Sequence, residues 1–406
     1  MGLTVEQECP QCGAPIGLEE TDHLIQCPYC SVKSFLFAPD YFRLVLPHKA
    51  PDKDIIYAPY LRFKGNTYAC QGQAVGHRII DITHLGAPVK GLPISLGLRP
   101  QAMKMRFATP DTAGSFLRCS LKMADVLSKV GKHTSGTGQL FHRAYIGDTV
   151  SLIYLPLFVQ KETVFDAIIN QPIVKLTGAE DMFGSTAEKP LRWKLTFMST
   201  LCPQCGWNLE GDRDSVVLTC NNCNTAWGAS EGKFVRVDLG VVPGQGDKTV
   251  YLPFWKITAR AEGIEINSFA DFIRVTNQPK IVQEDWENQD MSYWCPAFKI
   301  RPRIFLRLLS QLTVSQKDFE TDETIPKQGL YPVTMPQSEA AQSMKLALAN
   351  SAMTKRDTFP MLPQVRFAIK DSILLYLPFT DKGHDMVQEQ MGVSINKKSL
   401  EYGRHL

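Results

Sequence analysis

The stretch CPQCG, Cys9 to Gly13, recurs letter for letter at Cys202 to Gly206 in the second half of the 406-residue chain. Each copy is followed by another CxxC pair, so the pattern C-x2-C-x14-C-x2-C occurs twice. A CxxC turn places two thiolates on one side of a metal ion, and fourteen residues suffice for a hairpin that returns the second pair. We therefore predict two metal sites with the ligands Cys9, Cys12, Cys27, Cys30 and Cys202, Cys205, Cys220, Cys223.

The residue after the second cysteine of each turn carries a conformational requirement. Gly13 and Gly206 suit a turn that needs a positive φ angle. At the two remaining turns this place is taken by Ser31 and Asn224, of which Asn tolerates the left-handed region better.

In CPQCG followed by CPYC, and in CPQCG followed by CNNC, the chain resembles the zinc-ribbon family, small β-modules with two rubredoxin-type knuckles. The resemblance covers about 22 residues in each half, and it implies a bound zinc ion in each module. Because cysteine fills every ligand position, no coordination site is left for a catalytic water, and we expect two structural Zn²⁺ ions. Iron with electron transfer is the less favoured alternative.

The similarity between the halves extends beyond the cysteines. A Tyr-x-Pro pattern occurs four times within apolar runs, at Tyr57, Tyr154, Tyr251 and Tyr376. We interpret these runs as β-hairpins whose prolines lie at a sheet edge or bulge and whose tyrosines pack in the core. A ligand-facing aromatic surface is the alternative. Each half also contains one stretch with helical periodicity, which begins near Pro110 in the first half and near Pro336 in the second.

These patterns predict an α+β fold built as a tandem duplication. Each half would be a four-cysteine zinc ribbon followed by a mostly antiparallel β-rich domain with one amphipathic helix. The expected domains are ribbon 1 at 1–37, domain 1 at 38–185, ribbon 2 at 199–229 and domain 2 at 230–406. The polar segment 177–190 is the expected boundary between the halves.

Composition narrows the class of protein. The chain is 44% hydrophobic with a net charge of +3, which is typical of a folded protein without a general attraction to nucleic acid or membrane. No run of 18 apolar residues and no signal peptide is evident, so we expect no membrane span. Cysteine pairs that serve as metal ligands favour the cytoplasm.

The ribbons are poor candidates for contact with nucleic acid, because residues 1–30 contain five acidic residues and no Lys or Arg. Basic residues cluster instead at Lys299, Arg301, Arg303 and Arg307. Pro302 is a good first residue for a helix, and the apolar residues that follow would share one face, with the arginines opposite. A solvated helix face is the simpler interpretation; a binding site for nucleic acid or an acidic protein is the alternative.

No catalytic motif stands out. The glycine-rich stretches 131–138 and 243–249 depart from the phosphate-binding loop pattern, and the eight histidines are scattered. Three cysteines remain outside the metal pattern: Cys70, Cys119 and Cys295. We expect Cys119, within a helical pattern, and Cys295 to be buried and inert. No catalytic residue is assigned.

The sequence favours a non-catalytic, zinc-binding adaptor or structural subunit that binds other proteins in a larger assembly. Its two similar halves suit bivalent attachment. The first alternative is a nucleic-acid-associated zinc-ribbon factor that uses the basic face at 299–307. The second is an enzyme with a site between the halves. The partners and the oligomeric state are not encoded in any pattern that we recognise.

Overall fold

A computed structural model describes residues 3–123, 125–127, 138–176, 187–188, 193–244, 246 and 249–404, with the backbone alone at 148 and 187–188. Apart from strand 187–188, the predicted boundary segment 177–190 lies outside the described residues. Of the glycine-rich stretch 131–138, only residue 138 is described. Of the stretch 243–249, residues 243, 244, 246 and 249 are described.

The chain forms two compact units. Unit 1 comprises Met1–Lys64, Ile80–Thr134 and Thr149–Ser199, and unit 2 comprises Gly65–Ile79, Ser135–Asp148 and Thr200–Leu406. Strand accounts for 43% of the structure and helix for 17%. Most of the described strand pairs are antiparallel. The fold is therefore α+β, as the sequence predicts.

Among its described residues, the first half contributes fourteen strands. They are β1 Thr4–Glu8, β2 Pro15–Glu19, β3 Leu24–Gln26, β4 Lys33–Phe37, β5 Phe42–Val45, β6 Ile56–Gln71, β7 Ala74–Leu85, β8 Lys104–Phe107, β9 Ser115–Leu117, β10 Leu140–Gln160, β11 Thr163–Asp166, β12 Gln171–Lys175, β13 Ala187–Glu188 and β14 Thr196–Ser199. An eleven-stranded sheet has the order β13-β9-β6-β10-β5-β8-β1-β2, with β7 on β6, β11 on β10 and β12 on β11. The strands β14-β4-β3 form a separate small sheet.

The second half contributes nine strands. They are β15 Val217–Cys220, β16 Thr225–Ser230, β17 Lys233–Val237, β18 Leu239–Val241, β19 Thr249–Glu262, β20 Ser292–Pro296, β21 Arg366–Asp381, β22 Asp385–Gln388 and β23 Val393–Asn396. The first three form one sheet. The others form a six-stranded sheet with the order β20-β19-β21-β22-β23 and with β18 beside β21.

The helices are short. They are α1 Arg99–Ala102, α2 Phe269–Val275, α3 Pro302–Ser315, α4 Gln337–Gln342, α5 Met344–Ser351, α6 Lys355–Thr358 and α7 Lys397–Gly403, with 3-10 turns at Glu284–Glu287, Phe359–Met361 and Glu389–Met391. Among the described residues, no helix is both long and apolar enough to cross a membrane.

The helix predictions had mixed outcomes. Helix α3 begins at Pro302 and buries Phe305, Leu308, Leu309 and Leu312, as predicted. The stretch after Pro336 is helical as α4 and α5. The prediction of one helix per half is wrong for the second half. The stretch after Pro110 begins with strand β9, and its described residues 123 and 125–127 are helical. The reason is that Ser115 and Phe116 pair with β6, an interaction that helical periodicity does not register.

The four Tyr-x-Pro runs lie within β6, β10, β19 and β21, which have neighbours on both sides. The edge position, one of the two predicted for these prolines, is therefore wrong. The register of β19 with β21 is continuous at Pro253 and Pro378, so the predicted bulge is also wrong there. Pro253 lies where the ladder between β19 and β20 stops. Its carbonyl accepts a hydrogen bond from Ala297 N–H, just past the end of β20. Its missing backbone N–H faces the same point, which is why the proline is tolerated there. The carbonyl of Pro59 accepts in the same way from Gly86 N–H, just past the end of β7.

The tyrosines of these runs face the cores. In unit 1, Tyr57 and Tyr154 are 3% and 2% exposed, and both rings contact Phe116, with centroids 4.6 and 4.9 Å apart. In unit 2, Tyr376 is 3% exposed. These three tyrosines are core residues, as the simpler interpretation predicted, and they do not line an exposed aromatic surface.

Matching pairings surround the Tyr-x-Pro strands of each unit. In unit 1, Tyr154 pairs in parallel with Val45 and Tyr57 with Phe116. In unit 2, Tyr376 pairs in parallel with Val241, and Tyr251 pairs with Leu330 through a parallel bridge. The backbone N–H of the residue after Val45 donates to the carbonyl of Tyr154, and the residue after Val241 donates to that of Tyr376.

Part of the first half belongs to unit 2. The far ends of β6, β7 and β10, residues 65–79 and 138–148, form an arm whose apolar side chains join the unit 2 core. The ring of Tyr68, 1% exposed, lies 5.6 Å from that of Phe305 in α3, and Phe141 lies 6.0 Å from Phe359. The backbone N–H of Gly147 donates to the Glu339 carboxylate at 2.7 Å. The arm is thus part of the packed core of unit 2.

Candidate metal centres

Each four-cysteine group is assembled from two knuckle turns. In unit 1 the first knuckle joins β1 to β2, and the second joins β3 to β4. In unit 2 the Leu201–Asn208 bridge flanks the first knuckle, and the second joins β15 to β16. Short antiparallel hairpins thereby bring cysteines that are distant in sequence to the same place.

The backbone of the knuckles is held by hydrogen bonds. Gly13 N–H donates to the Cys9 carbonyl at 2.9 Å, and Ser31 N–H donates to the Cys27 carbonyl at the same distance. Gly206 N–H donates to the Cys202 carbonyl, also at 2.9 Å. The φ angles of Gly13, Ser31, Gly206 and Asn224 are 73°, 59°, 73° and 52°. The predicted positive φ is therefore confirmed at both glycines, and the non-glycine positions share it.

The sulfur atoms are spaced as a tetrahedral metal ion requires. In each group the four Sγ atoms lie within 4.8 Å of one another. The cross-knuckle distances are 3.7 Å for Cys9–Cys30 and Cys12–Cys27. They are 3.6 Å for Cys202–Cys223 and 3.5 Å for Cys205–Cys220. Metal–sulfur bonds of about 2.3 Å in a tetrahedron give sulfur–sulfur edges of about 3.8 Å.

The eight predicted ligands are thus grouped as the sequence pairs them, and the donor set fits two metal ions. Four thiolates in tetrahedral arrangement suit zinc, and they also suit iron. When bound, such an ion cross-links two knuckle turns that are distant in sequence.

Local donors lower the pKa of the Cys27, Cys202 and Cys205 thiols, whereas burial and hydrogen bonds from neighbouring thiols raise the pKa of the other ligands for which a shift is resolved, Cys12, Cys30, Cys220 and Cys223. The backbone N–H of Cys30 lowers the pKa of the Cys27 thiol to about 6. The side chain of Asn222 is the largest influence at Cys205, whose pKa is also lowered to about 6. Hydrogen bonds to sulfur stabilise the charged form, which is the form that binds metal.

Thr225 is not among the residues predicted from the sequence, yet it supports the second centre. Its Oγ1 lies 3.1 Å from Cys223 Sγ and accepts a hydrogen bond from the indole Nε1 of Trp227 at 2.8 Å. The signal in the sequence is a hydroxyl residue two positions after the last cysteine. Val32 occupies the corresponding position of the first centre, so this support is specific to the second.

The predicted basic group is divided by burial. Arg301, Arg303 and Arg307 are exposed, whereas Lys299 is only 9% exposed. Arg307 donates to the carbonyl of Ser394 at 2.5 Å. The exposed part of the group therefore consists of three arginines at the start of α3 and on its outer face, and Lys299 does not extend it.

The cysteines outside the metal groups differ from one another. Cys70 and Cys295 are fully buried, and burial raises the pKa of each thiol to about 12. The burial predicted for Cys295 is confirmed. Cys119 is only half-buried and lies in the loop after β9, so its predicted helical position is wrong. Its neighbour strand β9 pairs with β6, which takes the segment out of a helix.

A buried group of ion pairs was not predicted from the sequence. Arg62 in β6 binds the Glu20 carboxylate, and both side chains are 1% exposed. Its guanidinium also donates twice to Asp81 in β7, at 3.0 Å each. These residues are separated by up to 61 positions (81 − 20), and no sequence pattern links them.

No protein-family model, curated protein or solved structure matches this chain. Its function must therefore be inferred from the two four-cysteine centres and from the surfaces around them.

Proposed function

We propose that the protein is a non-catalytic, zinc-binding adaptor or structural subunit that binds other proteins in the cytoplasm. The observation that carries this proposal is the closure of both centres, in which all four ligand positions are cysteine sulfurs at tetrahedral spacing. Such a centre organises a small module and offers no open position to a substrate. A reducing compartment keeps eight cysteines available as ligands.

The metal we propose at both centres is zinc. Replacing Cys9 and Cys12 by Ser should lower the zinc content from two ions to one per chain, because only the second centre then keeps four thiolates. Plasma mass spectrometry of the purified protein gives the content. Cys119→Ser is the matched control, since that thiol lies outside both groups. Two zinc ions in the double variant, or iron in the wild type, would contradict the proposal.

We further propose that the chain arose by tandem duplication of a zinc ribbon and a β-rich domain. The support lies in equivalent pairings: Val45 with Tyr154 and Val241 with Tyr376, each next to a Tyr-x-Pro strand that follows a four-cysteine group. Two similar modules in one chain would allow two attachments, and the second would then occur at a high effective concentration.

The adaptor function can be tested in the native cells. The tagged full-length chain is isolated at moderate salt, with and without nuclease, and co-purifying proteins are identified by mass spectrometry. We expect a defined set of proteins that persists after nuclease treatment. Association that disappears with nuclease would overturn the adaptor proposal in favour of nucleic acid.

Nucleic acid binding is the second candidate, and the arginines of α3 favour it. The side chains of Arg301 and Arg303 are exposed and have no hydrogen-bond or ion-pair partner among the described residues. Replacing Arg301, Arg303 and Arg307 by Ala should then weaken binding of labelled RNA or DNA and reduce its dependence on salt. Unchanged binding in the triple variant would remove this candidate.

A further inference from the structure

The second knuckle of the first ribbon presents an aromatic ring to solvent. Tyr29 lies between the ligands Cys27 and Cys30, and it is 70% exposed. Its side chain makes no hydrogen bond, ion pair or ring contact with any described residue. A ring held on a short metal-binding turn loses little conformational freedom when a partner covers it, which makes it a favourable anchor.

The surroundings of Tyr29 are apolar at the knuckle itself. Val32 is 39% exposed, and its carbonyl accepts from Cys27 N–H at 3.0 Å, which fixes it in the same turn. Pro28 precedes the tyrosine and is exposed, as is Pro10 of the neighbouring knuckle. The turn therefore offers a small, rigid apolar surface centred on the ring.

Ribbon 1 as a whole carries a net negative charge, and the charged residue next to the knuckle in sequence is its one cation. The described residues of ribbon 1 contain five carboxylates and one cation, Lys33. Glu6 is paired with Lys104 and Glu20 with Arg62. Glu8 is exposed beside the ligand Cys9, and it has no ion-pair partner among the described residues. Four thiolates around a divalent ion add a further net charge of about −2 at the same place.

The second ribbon differs at the equivalent position. Asn222 replaces the tyrosine, and its side chain is engaged with the Cys205 thiol. The exposed aromatic residue of that ribbon, Trp207, follows the other knuckle. A cation accompanies that knuckle, because Arg236 donates to Gln204 within it, at 3.3 Å. An uncovered ring on the second knuckle is therefore a feature of ribbon 1.

We propose that the knuckle Cys27–Val32 is a docking surface for a basic segment of a partner protein, with a lysine or arginine of the partner lying on the ring of Tyr29. Charge complementarity determines the occupant. A cation above an aromatic face gains electrostatic attraction, and the negative ribbon strengthens that attraction. This inference rests on the proposed adaptor function and names the chemistry of the partner.

The test uses the zinc-loaded full-length protein and a fluorescein-labelled peptide of Gly-Arg repeats, measured by fluorescence anisotropy at low salt. We expect Tyr29→Ala to weaken peptide binding about twofold to fivefold, as loss of an exposed cation–π contact predicts. Tyr29→Phe keeps the ring and should stay within about twofold of the wild type. Trp207→Ala is the matched control in ribbon 2, because it removes an exposed ring that is not a ligand, and it should leave the affinity unchanged. Zinc content and circular dichroism verify that each variant is folded.

Several results would overturn the inference. They are equal affinity of Tyr29→Ala and the wild type, absence of peptide binding by the wild type up to about 1 mM, and Tyr29-dependent binding of a single-stranded oligonucleotide in place of the peptide. The adaptor function has a separate readout in the native cells. If partners co-purify equally with wild type and Tyr29→Ala, the docking surface is wrong and the adaptor function stands. If no partner co-purifies with either protein, the adaptor function fails, while the peptide titration still decides whether the knuckle binds a basic segment.

Discussion

At the scale of single residues, the position after each knuckle carries backbone strain that depends on its side chain. Ser31 has φ 59° and Asn224 has φ 52°, in the left-handed region that favours glycine. Asn224 is also anchored, because its Oδ1 accepts from Ile325 N–H at 3.1 Å. Ser31 has no such contact among the described residues. The strain at Ser31 is therefore uncompensated.

Ser31→Gly should stabilise the first ribbon by roughly 0.5–1 kcal/mol. Relief of left-handed strain gains about 1–2 kcal/mol, and the added freedom of glycine in the unfolded chain costs about 0.5–1 kcal/mol. Thermal unfolding of the zinc-loaded protein measures the difference. Gly13→Ala is the opposite control, since no atom lies within 4 Å of its added Cβ and only the φ of +73° opposes it. A destabilised Ser31→Gly would contradict this account.

A second residue predicts how stability depends on pH. Burial, with a smaller contribution from the nearby Lys345 ammonium, lowers the pKa of His142 to about 4. The unfolded value is about 6.5, so between these values the unfolded chain binds more protons than the folded one. Stability contributed by neutral His142 is therefore lost as the pH falls from about 6.5 to about 4.

His142→Gln should reduce the loss of stability between pH 7 and pH 5 relative to the wild type, because Gln does not titrate. Urea unfolding at several pH values, with both proteins compared at each value, separates this effect from acid release of zinc. The exposed His77, changed to Gln, provides the control and should follow the wild type. An unchanged acid response in the His142 variant would refute the assignment.

At the scale of elements, a buried ion group ties strands together within unit 1. Arg62 in β6 holds Glu20, which follows β2, and Asp81 in β7. Arg62→Met should destabilise the protein by about 3–5 kcal/mol, because it leaves the buried Glu20 carboxylate without its counter-ion. Adding Glu20→Leu should recover part of that loss, since the uncompensated charge is then removed.

Chemical denaturation of the wild type and of the single and double variants measures the effect of Arg62. The Arg62→Met substitution tests the group directly because Met keeps an unbranched apolar side chain and lacks the charge and the donors of Arg. A loss below about 1 kcal/mol in the single variant would show that the ion group contributes little to stability. Zinc content should remain at two ions per chain, as Glu20 lies outside the ligand sets.

At the scale of the whole molecule, each of the two compact units combines segments that are not consecutive in the chain. The arm at 65–79 and 138–148 belongs to unit 2, where Tyr68, Cys70, Ala144 and Ile146 join the core. A fragment of residues 200–406 would lack these side chains. Removing buried aromatic and aliphatic residues costs about 2–5 kcal/mol each, which together exceeds the stability of an ordinary domain.

The 200–406 fragment should therefore fail to unfold cooperatively and should bind a hydrophobic dye, in contrast to the full-length chain. Calorimetry and dye fluorescence check this expectation. Tyr68→Ala in the intact protein is the milder companion, with an expected loss of about 3–5 kcal/mol from its contact with Phe305. A fragment that melts as sharply as the full-length protein would show that the arm is dispensable.

The sequence by itself determined the local features of this protein. The ligand groups follow from cysteine spacing, the positive φ of Gly13 and Gly206 from the knuckle turn, and the helix at Pro302 from its first residue and its apolar face. Each of these depends on residues within one short segment, or on a spacing that one hairpin can close. Their physical causes are therefore readable without a structure.

Only the tertiary structure decided the features that depend on distant pairing. It places the Tyr-x-Pro strands inside their sheets, turns the stretch at Ser115 into a strand beside β6, and buries Lys299 away from the arginines. It also assigns the arm to unit 2. Strand pairing and burial are set by contacts between residues far apart in the chain, and neither composition nor periodicity reports which distant segments will meet.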